Sequence, residues 1–230
     1  MNPFNPVVPY SYVFPDPERA DKDGLLAAGG DLSPEALIAA YSAGIFPWYS
    51  EGSPILWWAP DPRLVLFPDK FKISYTLRQT LKRGKYSVLF DRDFAAVIAD
   101  CATVKRNKQD GTWITTEMQQ AYTILHQKGY AHSVEAYCEG KLVGGLYGVS
   151  LGKAFFGESM FHRMPDASKV TLYYLVEQLK KWNFHFIDAQ QSTAHLKSLG
   201  AEEIPRKEFL IRLKKALEFP TKTGKWERKL

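Results

Sequence analysis

The chain has 230 residues, of which 45% are hydrophobic and 24% are charged, a composition typical of a globular protein with a hydrophobic core. No apolar run approaches the ~20 residues that a membrane-spanning helix needs, and the first residues lack the features of a secretory signal, so we expect a cytoplasmic protein. The two cysteines, Cys101 and Cys138, are far apart and have no histidine at metal-binding spacing, which disfavours a zinc site.

The net charge of +5 is distributed unevenly along the chain. Residues 1–62 carry two basic and eight acidic side chains, whereas residues 63–108 carry eleven basic and four acidic ones. Residues 205–230 carry nine basic and three acidic side chains. Basic segments on an otherwise acidic or neutral chain indicate a surface that faces phosphates, although a solvated charged face would explain each cluster alone about as well.

The first predicted helix starts after Ser33, an N-cap residue followed by Pro34 at the first helical position, and it stops at Gly44. An aromatic loop of residues 44–63 follows, and it contains half of the six tryptophans and four prolines. Because proline lacks the N–H that helices and central strands need, this loop should form neither a long helix nor a central strand. Its aromatic rings either plug a crevice or offer stacking platforms for nucleobases.

The remaining elements predict an α+β fold that would suit a mixed sheet of the acetyltransferase type. Hydrophobic periodicity, caps and glycine stops predict helices over 74–83, 94–101, 116–128, 167–182 and 207–217. Strands are predicted over 86–90, 132–138, 141–149, 154–158 and 184–188, with Glu139-Gly140 as a hairpin turn. Residues 221–230 are predicted to form a loose basic tail.

Three polar residues are conspicuous because of their place relative to predicted apolar strands. Glu158 ends one strand, Asp188 ends another, and Gln190 follows two positions later, on the same side if that strand continues. An acid at the end of a buried strand is costly unless it is paired or functional, so a capping or ion-pair role is the alternative. Together the three would form an anionic pocket that holds a cationic amine and accepts its proton.

Other candidate groups also have a structural interpretation. One predicted helix has an apolar stripe, and a methionine lies nearby. These side chains would either line a hydrophobic pocket beside the polar residues or belong to the core: Leu172, Leu175, Leu179 and Met160. The later histidines form no spaced metal pair and are interpreted as surface or core-edge residues: His162, His185 and His195.

Nine sequence blocks follow one another in the order of one protein family. They are 24–32 (GLLAAGGDL), 44–49 (GIFPWY), 55–63 (ILWWAPDPR), 111–115 (GTWIT), 131–135 (AHSVE), 144–149 (GGLYGV), 156–161 (FGESMF), 187–190 (IDAQ) and 195–206 (HLKSLGAEEIPR). Over roughly residues 10–217 the chain closely resembles the bacterial leucyl/phenylalanyl-tRNA–protein transferases.

The resemblance implies an enzyme that moves Leu or Phe, and less well Met, from aminoacyl-tRNA to the N-terminal Arg or Lys of a protein, which marks that protein for degradation. It implies a small N-terminal α/β domain over residues 1–62 that includes the aromatic loop. An acetyltransferase-like catalytic domain with a basic tail would cover residues 63–230 and work without coenzyme A. We expect no cofactor or metal, and a monomer.

The resemblance also implies roles for individual residues. Trp48 and Trp113 would hold the terminal adenosine of the tRNA, Glu158 would lie at the aminoacyl end, and Asp188 with Gln190 would form the catalytic pair. The wall of the aminoacyl side-chain pocket would consist of Leu146, Met160, Leu172, Leu175, Leu179, Ile187 and Ala189. Beside the aromatic loop, the expected contacts of tRNA phosphates are Arg63, Lys82, Arg83, Lys85, Lys105, Arg106 and Lys108.

The implied chemistry needs few groups, because an aminoacyl ester is already activated and its aminolysis requires no ATP, metal or coenzyme. We expect Asp188 to orient and polarise Gln190, which contacts the attacking amine. The amine's proton can go to Asp188, to water or to the tRNA ribose. Two other classes of protein stay open as alternatives. A coenzyme A-dependent N-acetyltransferase should carry a pyrophosphate loop that the sequence lacks, and a non-catalytic RNA-binding module would leave the three polar residues unexplained.

Overall fold

Residues 12–103 and 114–227, which the computed structural model describes, form α-helices and two β-sheets. The helices are α1 (Pro34–Ser42), α2 (Tyr75–Arg83), α3 (Phe94–Thr103), α4 (Thr116–Gln127), α5 (Ala167–Lys181), α6 (Ala194–Ser198) and α7 (Arg206–Leu217). The strands are β1 (Leu25–Ala28), β2 (Phe46–Pro47), β3 (Leu56–Trp58), β4 (Arg63–Leu66), β5 (Ser87–Phe90), β6 (Ala131–Cys138), β7 (Lys141–Leu151), β8 (Ala154–His162), β9 (Phe186–Gln190) and β10 (Glu202–Ile204). The predicted α+β fold is confirmed. Within these two described stretches, no helix has the length and apolar character needed to cross a membrane.

A seven-stranded mixed sheet forms the centre of the molecule. Its strand order is β10-β4-β9-β8-β7-β6-β5, and β8 pairs with β9 in parallel, whereas the other neighbouring pairs are antiparallel. Parallel neighbours need a crossover connection, and α5 supplies it. Because side chains alternate between the faces of a strand, Phe155 packs in the same core as Leu172 and Leu175 of α5, while Phe156 packs near Tyr41 of α1. Helices therefore cover both faces of β8.

The two strands of the aromatic loop, β2 and β3, pair with β1 in a small sheet of the order β1-β3-β2. Its central strand, β3, fits between Pro54 and Pro60, so the prediction that this loop contains no central strand is wrong. The physical reason is length, because three residues pair without either proline having to donate to the ladder. The indole N–H of Trp58 donates to the backbone oxygen of Trp48 at 2.6 Å, which fixes the loop end that carries Trp48.

The C-terminal segment is packed against the domain, so the predicted loose tail is wrong for residues 221–227. Trp226 is 1% exposed, and its ring stacks on His132 with centroids 3.8 Å apart. Its backbone N–H donates to the buried Asp91 carboxylate at 2.7 Å. The segment also crosses so close to Gly129 that a Cβ there would lie 2.2 Å from the nitrogen of Gly224.

Most of the predicted helices and strands are confirmed, and their differences from the structure are local. The Glu139-Gly140 hairpin is confirmed, since Cys138 pairs with Lys141 across it. Glu158 lies inside β8, which continues to His162, and not at a strand end. The sequence analysis does not predict β1, β2, β3, β4, β10 or α6, each of which is short.

Candidate functional site

A cavity of about 620 Å³ opens beside the parallel pair β8 and β9 and reaches the aromatic loop. Its apolar wall includes six of the predicted pocket residues: Leu146, Met160, Leu172, Leu175, Ile187 and Ala189. The seventh, Leu179, is fully buried in the core behind them and does not line the cavity, so its predicted place in the wall is wrong. Leu179 follows Leu175 by one helical turn, which continues the apolar stripe of α5 past the end of the cavity.

Asp188 on β9 is held in a buried ion pair with Arg63 on β4. The guanidinium donates from Nε to Oδ1 at 2.8 Å and from Nη2 to Oδ2 at 2.7 Å, and the two side chains are 1% and 0% exposed. The guanidinium also lies over the rings of Phe46 and Phe209, at 4.8 and 4.6 Å from their centroids. Arg63 is therefore unavailable to a phosphate, and its predicted role as a tRNA contact is wrong.

Asp188 is hydrogen-bonded to the backbone of Gln190 and not to its side chain. Its Oδ1 accepts a hydrogen bond from the backbone N–H of Gln190 at 2.9 Å. This bond supports a left-handed conformation at Gln190, whose φ is +61° and which is uncommon for a residue other than glycine. The ion pair of Arg63 and Asp188 thus fixes the end of β9 from which the Gln190 side chain enters the cavity.

The side-chain amide of Gln190 is oriented by Glu158, not by Asp188. Gln190 Nε2 donates to Glu158 Oε1 at 2.7 Å. Tyr41 on α1 donates to the same oxygen at 2.7 Å, and Tyr122 on α4 donates to Oε2 at 3.2 Å. The two tyrosine hydroxyls also contact each other. Because the amide N–H side faces Glu158, the carbonyl oxygen of Gln190 is the side left to accept a hydrogen bond from an amine.

Burial raises the pKa of Glu158 to about 7, even though part of this half-buried residue lines the cavity. The hydrogen bonds from Tyr41, Tyr122 and Gln190 lower the pKa, and the nearby Asp188 carboxylate raises it. Burial also raises the pKa of Tyr41 and of Tyr122 well above the usual value, so both hydroxyls keep their protons and act as donors. Glu158 can therefore be charged or neutral close to pH 7.

Tyr41 and Tyr122 are the site residues that the sequence analysis missed. Both lie among the buried residues of their helices, and hydrophobic periodicity does not distinguish a tyrosine with a functional hydroxyl from one that only packs in the core. They lie 117 and 36 residues from Glu158 along the chain, so no local pattern connects them.

The other predicted site residues lie at the cavity, on the surface at the end of α2, or outside the described residues. Trp48 is half-buried and lines the cavity, with its ring centroid 5.5 Å from that of Trp58. Lys82, Arg83 and Lys85 are exposed at and after the end of α2. Four predicted residues lie outside the described residues: Trp113, Lys105, Arg106 and Lys108.

Comparison with known proteins gives the same family for both parts of the chain. A family model of leucyl/phenylalanyl-tRNA protein transferase matches residues 65–214, and a model of the N-terminal domain of this transferase matches residues 30–61. The leucyl/phenylalanyl-tRNA–protein transferase of Myxococcus xanthus is 58% identical over 214 residues, which cover 93% of this chain and 92% of the relative. That of Legionella pneumophila (strain Corby) is 55% identical over 216 residues, covering 94% and 96%. The chain belongs to the leucyl/phenylalanyl-tRNA–protein transferase family.

The chain is also similar, at low sequence identity, to two solved structures. L-PGS from Bacillus licheniformis is 14% identical with a TM-score of 0.39, and the match covers 70% of this chain and 51% of that one. A GCN5-related N-acetyltransferase from Kribbella flavida is 8% identical with a TM-score of 0.38, over 72% and 59% of the two chains.

The hydroxyl of Tyr41 tunes the charge of Glu158 in the transferase. We expect Tyr41→Phe to raise the pKa of Glu158 above about 7, because the lost hydrogen bond favours the charged carboxylate. The carboxyl group then keeps its proton to a higher pH. A ¹³C NMR titration of glutamate-labelled protein measures the shift.

The exposed Tyr75 on α2 provides the matched control for that titration. Tyr75→Phe removes a hydroxyl of the same kind from a site without contact to Glu158, so it should leave the titration of Glu158 unchanged. An unchanged or lowered pKa of Glu158 in Tyr41→Phe would contradict the assigned hydrogen bond.

Proposed function

We propose that this transferase moves Leu or Phe, and less well Met, from aminoacyl-tRNA to the N-terminal Arg or Lys of a protein, so that the protein is marked for degradation. The observation that carries the proposal is the cavity of about 620 Å³, which joins an apolar wall, the Glu158–Gln190 pair and Trp48 in one space. Aminoacyl-tRNA is made in the cytoplasm, where we place the reaction. The enzyme acts as a monomer and without a cofactor.

The apolar wall takes the side chain of the amino acid that is transferred. Burying a Leu, Met or Phe side chain contributes about 1.5–3 kcal/mol, which favours these side chains over polar ones. Leu146, Leu172 and Leu175 supply flat aliphatic surface, and Met160 supplies a flexible one that adapts to different shapes. The adenosine that carries the ester stacks on Trp48, with Trp113 as the second platform.

The part of the cavity lined by Glu158 and Gln190 takes the attacking amine of the acceptor protein. The Gln190 carbonyl oxygen accepts a hydrogen bond from the amine. This hydrogen bond orients the lone pair of the amine nitrogen towards the ester carbonyl carbon. Glu158 fixes the amide in that orientation and, when charged, attracts the cationic end of the acceptor. Gln190 is a neutral amide and therefore positions the amine without taking its proton.

We further propose that the chain divides into an N-terminal domain of residues 1–62 and a catalytic domain of residues 63–230. The small sheet of β1, β3 and β2 lies within the first range, and the seven-stranded sheet begins with β4 at Arg63, which supports the boundary. In this division the adenosine platform Trp48 comes from the first domain, and the Glu158–Gln190 pair comes from the second.

Trp48 serves as a stacking platform, so Trp48→Ala should weaken binding of aminoacyl-tRNA by about 1–3 kcal/mol and raise KM accordingly. The midpoint of thermal unfolding should change little, because Trp48 is half-buried and its backbone bonds to Leu56 and Trp58 remain. Trp48→Phe should raise KM less than Trp48→Ala does. Steady-state kinetics and thermal melts measure both effects.

Trp57, which is 2% exposed, provides the control for the stacking prediction. Trp57→Ala should destabilise the protein by the ~3–5 kcal/mol typical of an emptied aromatic core site. If Trp48→Ala destabilises the protein by as much as Trp57→Ala, then Trp48 is core and not a platform.

The exposed cluster of Lys82, Arg83 and Lys85 contacts tRNA phosphates, so tRNA affinity should fall steeply with salt. Replacing any one of the three by Gln should flatten the slope of log K against log salt concentration by about 0.7–0.9. Filter binding of Phe-tRNA at a series of salt concentrations measures the slope. Lys141→Gln, at the exposed start of β7, should leave the slope unchanged, and a salt-independent affinity would refute the prediction.

The proposed function is tested by incubating the protein with labelled Phe-tRNA and reporter proteins that differ only in their N-terminal residue. Label should appear on the reporters that begin with Arg or Lys and not on those that begin with Met or Ala. A parallel incubation with labelled acetyl-CoA should give no product. Acetyl transfer would favour a coenzyme A-dependent acetyltransferase, and tRNA binding without any transfer would favour an RNA-binding module.

A further inference from the structure

His195 is a residue of the cavity for which the proposed mechanism has no role. It lies on α6, is exposed to solvent and lines the same cavity as Glu158 and Gln190. Among residues 12–103 and 114–227, neither ring nitrogen of His195 has a hydrogen-bond partner, and the local bond at this position uses only its backbone oxygen. An imidazole with a free nitrogen beside an amine is the usual type of group that accepts a proton near neutral pH.

The transfer reaction releases a proton that has to leave the cavity. The acceptor begins as an ammonium group with three protons on nitrogen, and the amide product keeps one. One of the two lost protons ends on the ribose oxygen of the tRNA, and the other must reach solvent. The site therefore needs a group that accepts a proton inside the cavity and is also in contact with water.

The two acids of the site are already engaged by hydrogen-bond donors. Asp188 is 0% exposed, and both of its oxygens accept hydrogen bonds from Arg63. Glu158 accepts hydrogen bonds on both oxygens, from two tyrosines and from Gln190. A proton on Asp188 would disrupt its ion pair with Arg63, and a proton on Glu158 would weaken the hydrogen bonds that it accepts, whereas a proton on His195 affects neither group.

We propose that His195 is a catalytic residue, which accepts a proton from the α-ammonium group of the acceptor, directly or through one water, and releases it to solvent; this rests on the proposed function. An N–H bond of the ammonium breaks, and an N–H bond forms on the imidazole. The freed lone pair attacks the ester carbonyl carbon, so that a C–N bond forms and the C–O bond to the ribose breaks. The second proton moves from the attacking nitrogen to the ribose oxygen, and the imidazolium then returns its proton to water.

Lys169 of α5 and His162 of β8 favour the neutral imidazole that this step requires. The other charged groups on these neighbouring elements are already paired, Asp166 with Lys169 and Lys197 with Glu203. Partial burial lowers the pKa of His195 below its usual value of about 6.5, and Lys169 and His162 lower it further. The ring is therefore neutral and ready to accept a proton at pH 7.

The test compares single-turnover rates of Phe transfer from preloaded Phe-tRNA to a peptide with N-terminal Arg, for the wild-type enzyme, His195→Gln and His195→Ala. Both variants should be about tenfold slower at pH 7, because an α-amine with a pKa of about 8 is neutral in only about a tenth of the acceptor molecules at that pH. The difference should shrink as the pH rises past about 8, where the acceptor amine loses its proton without help. Added imidazole should restore much of the rate of His195→Ala, because the cavity is open to solvent.

The exposed His185, which does not line the cavity, is the matched control, and His185→Gln should keep the wild-type rate and show no response to imidazole. A wild-type pH profile in His195→Gln would overturn the proposal, as would a loss of rate that is the same at every pH and that imidazole does not restore. Either result leaves the proposed function intact, since the wild-type enzyme still transfers Phe. A wild-type enzyme that transfers nothing would overturn both.

Discussion

We expect Arg63→Met to lower the free energy of unfolding by about 3–5 kcal/mol, because it leaves the carboxylate of Asp188 buried without its partner. Both side chains are excluded from solvent, so water cannot replace the two lost hydrogen bonds. The guanidinium also fills the space between two aromatic rings, which methionine fills only in part. Urea unfolding at pH 7 measures the change.

Two further variants separate the buried charge from general damage. Lys70→Met breaks the exposed ion pair with Glu202, in which the side chains are 56% and 40% exposed, and it should cost only about 0–1 kcal/mol. Adding Asp188→Asn to Arg63→Met removes the unpaired charge and keeps an oxygen for the N–H of Gln190, so much of the stability should return. A cost of Arg63→Met no larger than that of Lys70→Met would show that the ion pair does not support β9.

We expect Gln190→Ala to lower kcat and kcat/KM together by about 10²–10³-fold, the loss that follows removal of one preorganised hydrogen-bonding group from an active site. KM for aminoacyl-tRNA should change little, because Gln190 acts on the amine and the tRNA is held at the aromatic loop and the basic cluster. Steady-state kinetics with Phe-tRNA and a peptide with N-terminal Arg separate the two parameters.

The neighbouring Gln191 provides the control for this prediction. It is exposed and lines the mouth of the cavity, but it makes no hydrogen bond to Glu158 among the described residues. Gln191→Ala should therefore lower kcat far less than Gln190→Ala does. Equal losses in both variants would indicate a general effect on the loop after β9, and a wild-type kcat in Gln190→Ala would remove Gln190 from the mechanism.

The sequence was sufficient to predict which acids and amide meet, but not how they are connected. Glu158 and Asp188 each lie on a predicted apolar strand, and those strands are adjacent and parallel, so both acids contact Gln190, although only Glu158 and Gln190 line the cavity. Which acid contacts the side-chain amide of Gln190 depends on the register of β8 against β9 and on the left-handed φ at Gln190. Neither is visible in a hydrophobic pattern, and the predicted contact from Asp188 was therefore assigned to the wrong atoms.

Burial explains the two clearest errors of the sequence analysis. Arg63 was counted with the basic surface because a charge count does not reveal which side chain faces inward, and its partner Asp188 is 125 residues away. The segment around Trp226 was taken as a tail because it is short, basic and without periodicity. It is held by a single large side chain that packs on His132 and by the carboxylate of Asp91. Contacts between residues that are so far apart in the sequence are set by tertiary packing and not by local propensity.

The measurement that tests the account most directly is a crystal structure of the enzyme with phenylalanyl-adenosine in which an amide replaces the ester. The account predicts adenine stacked on Trp48, the phenyl ring against Leu146, Leu172 and Leu175, and the amide carbonyl beside Gln190. An analogue bound outside the cavity, or bound with its phenyl ring away from the apolar wall, would contradict it.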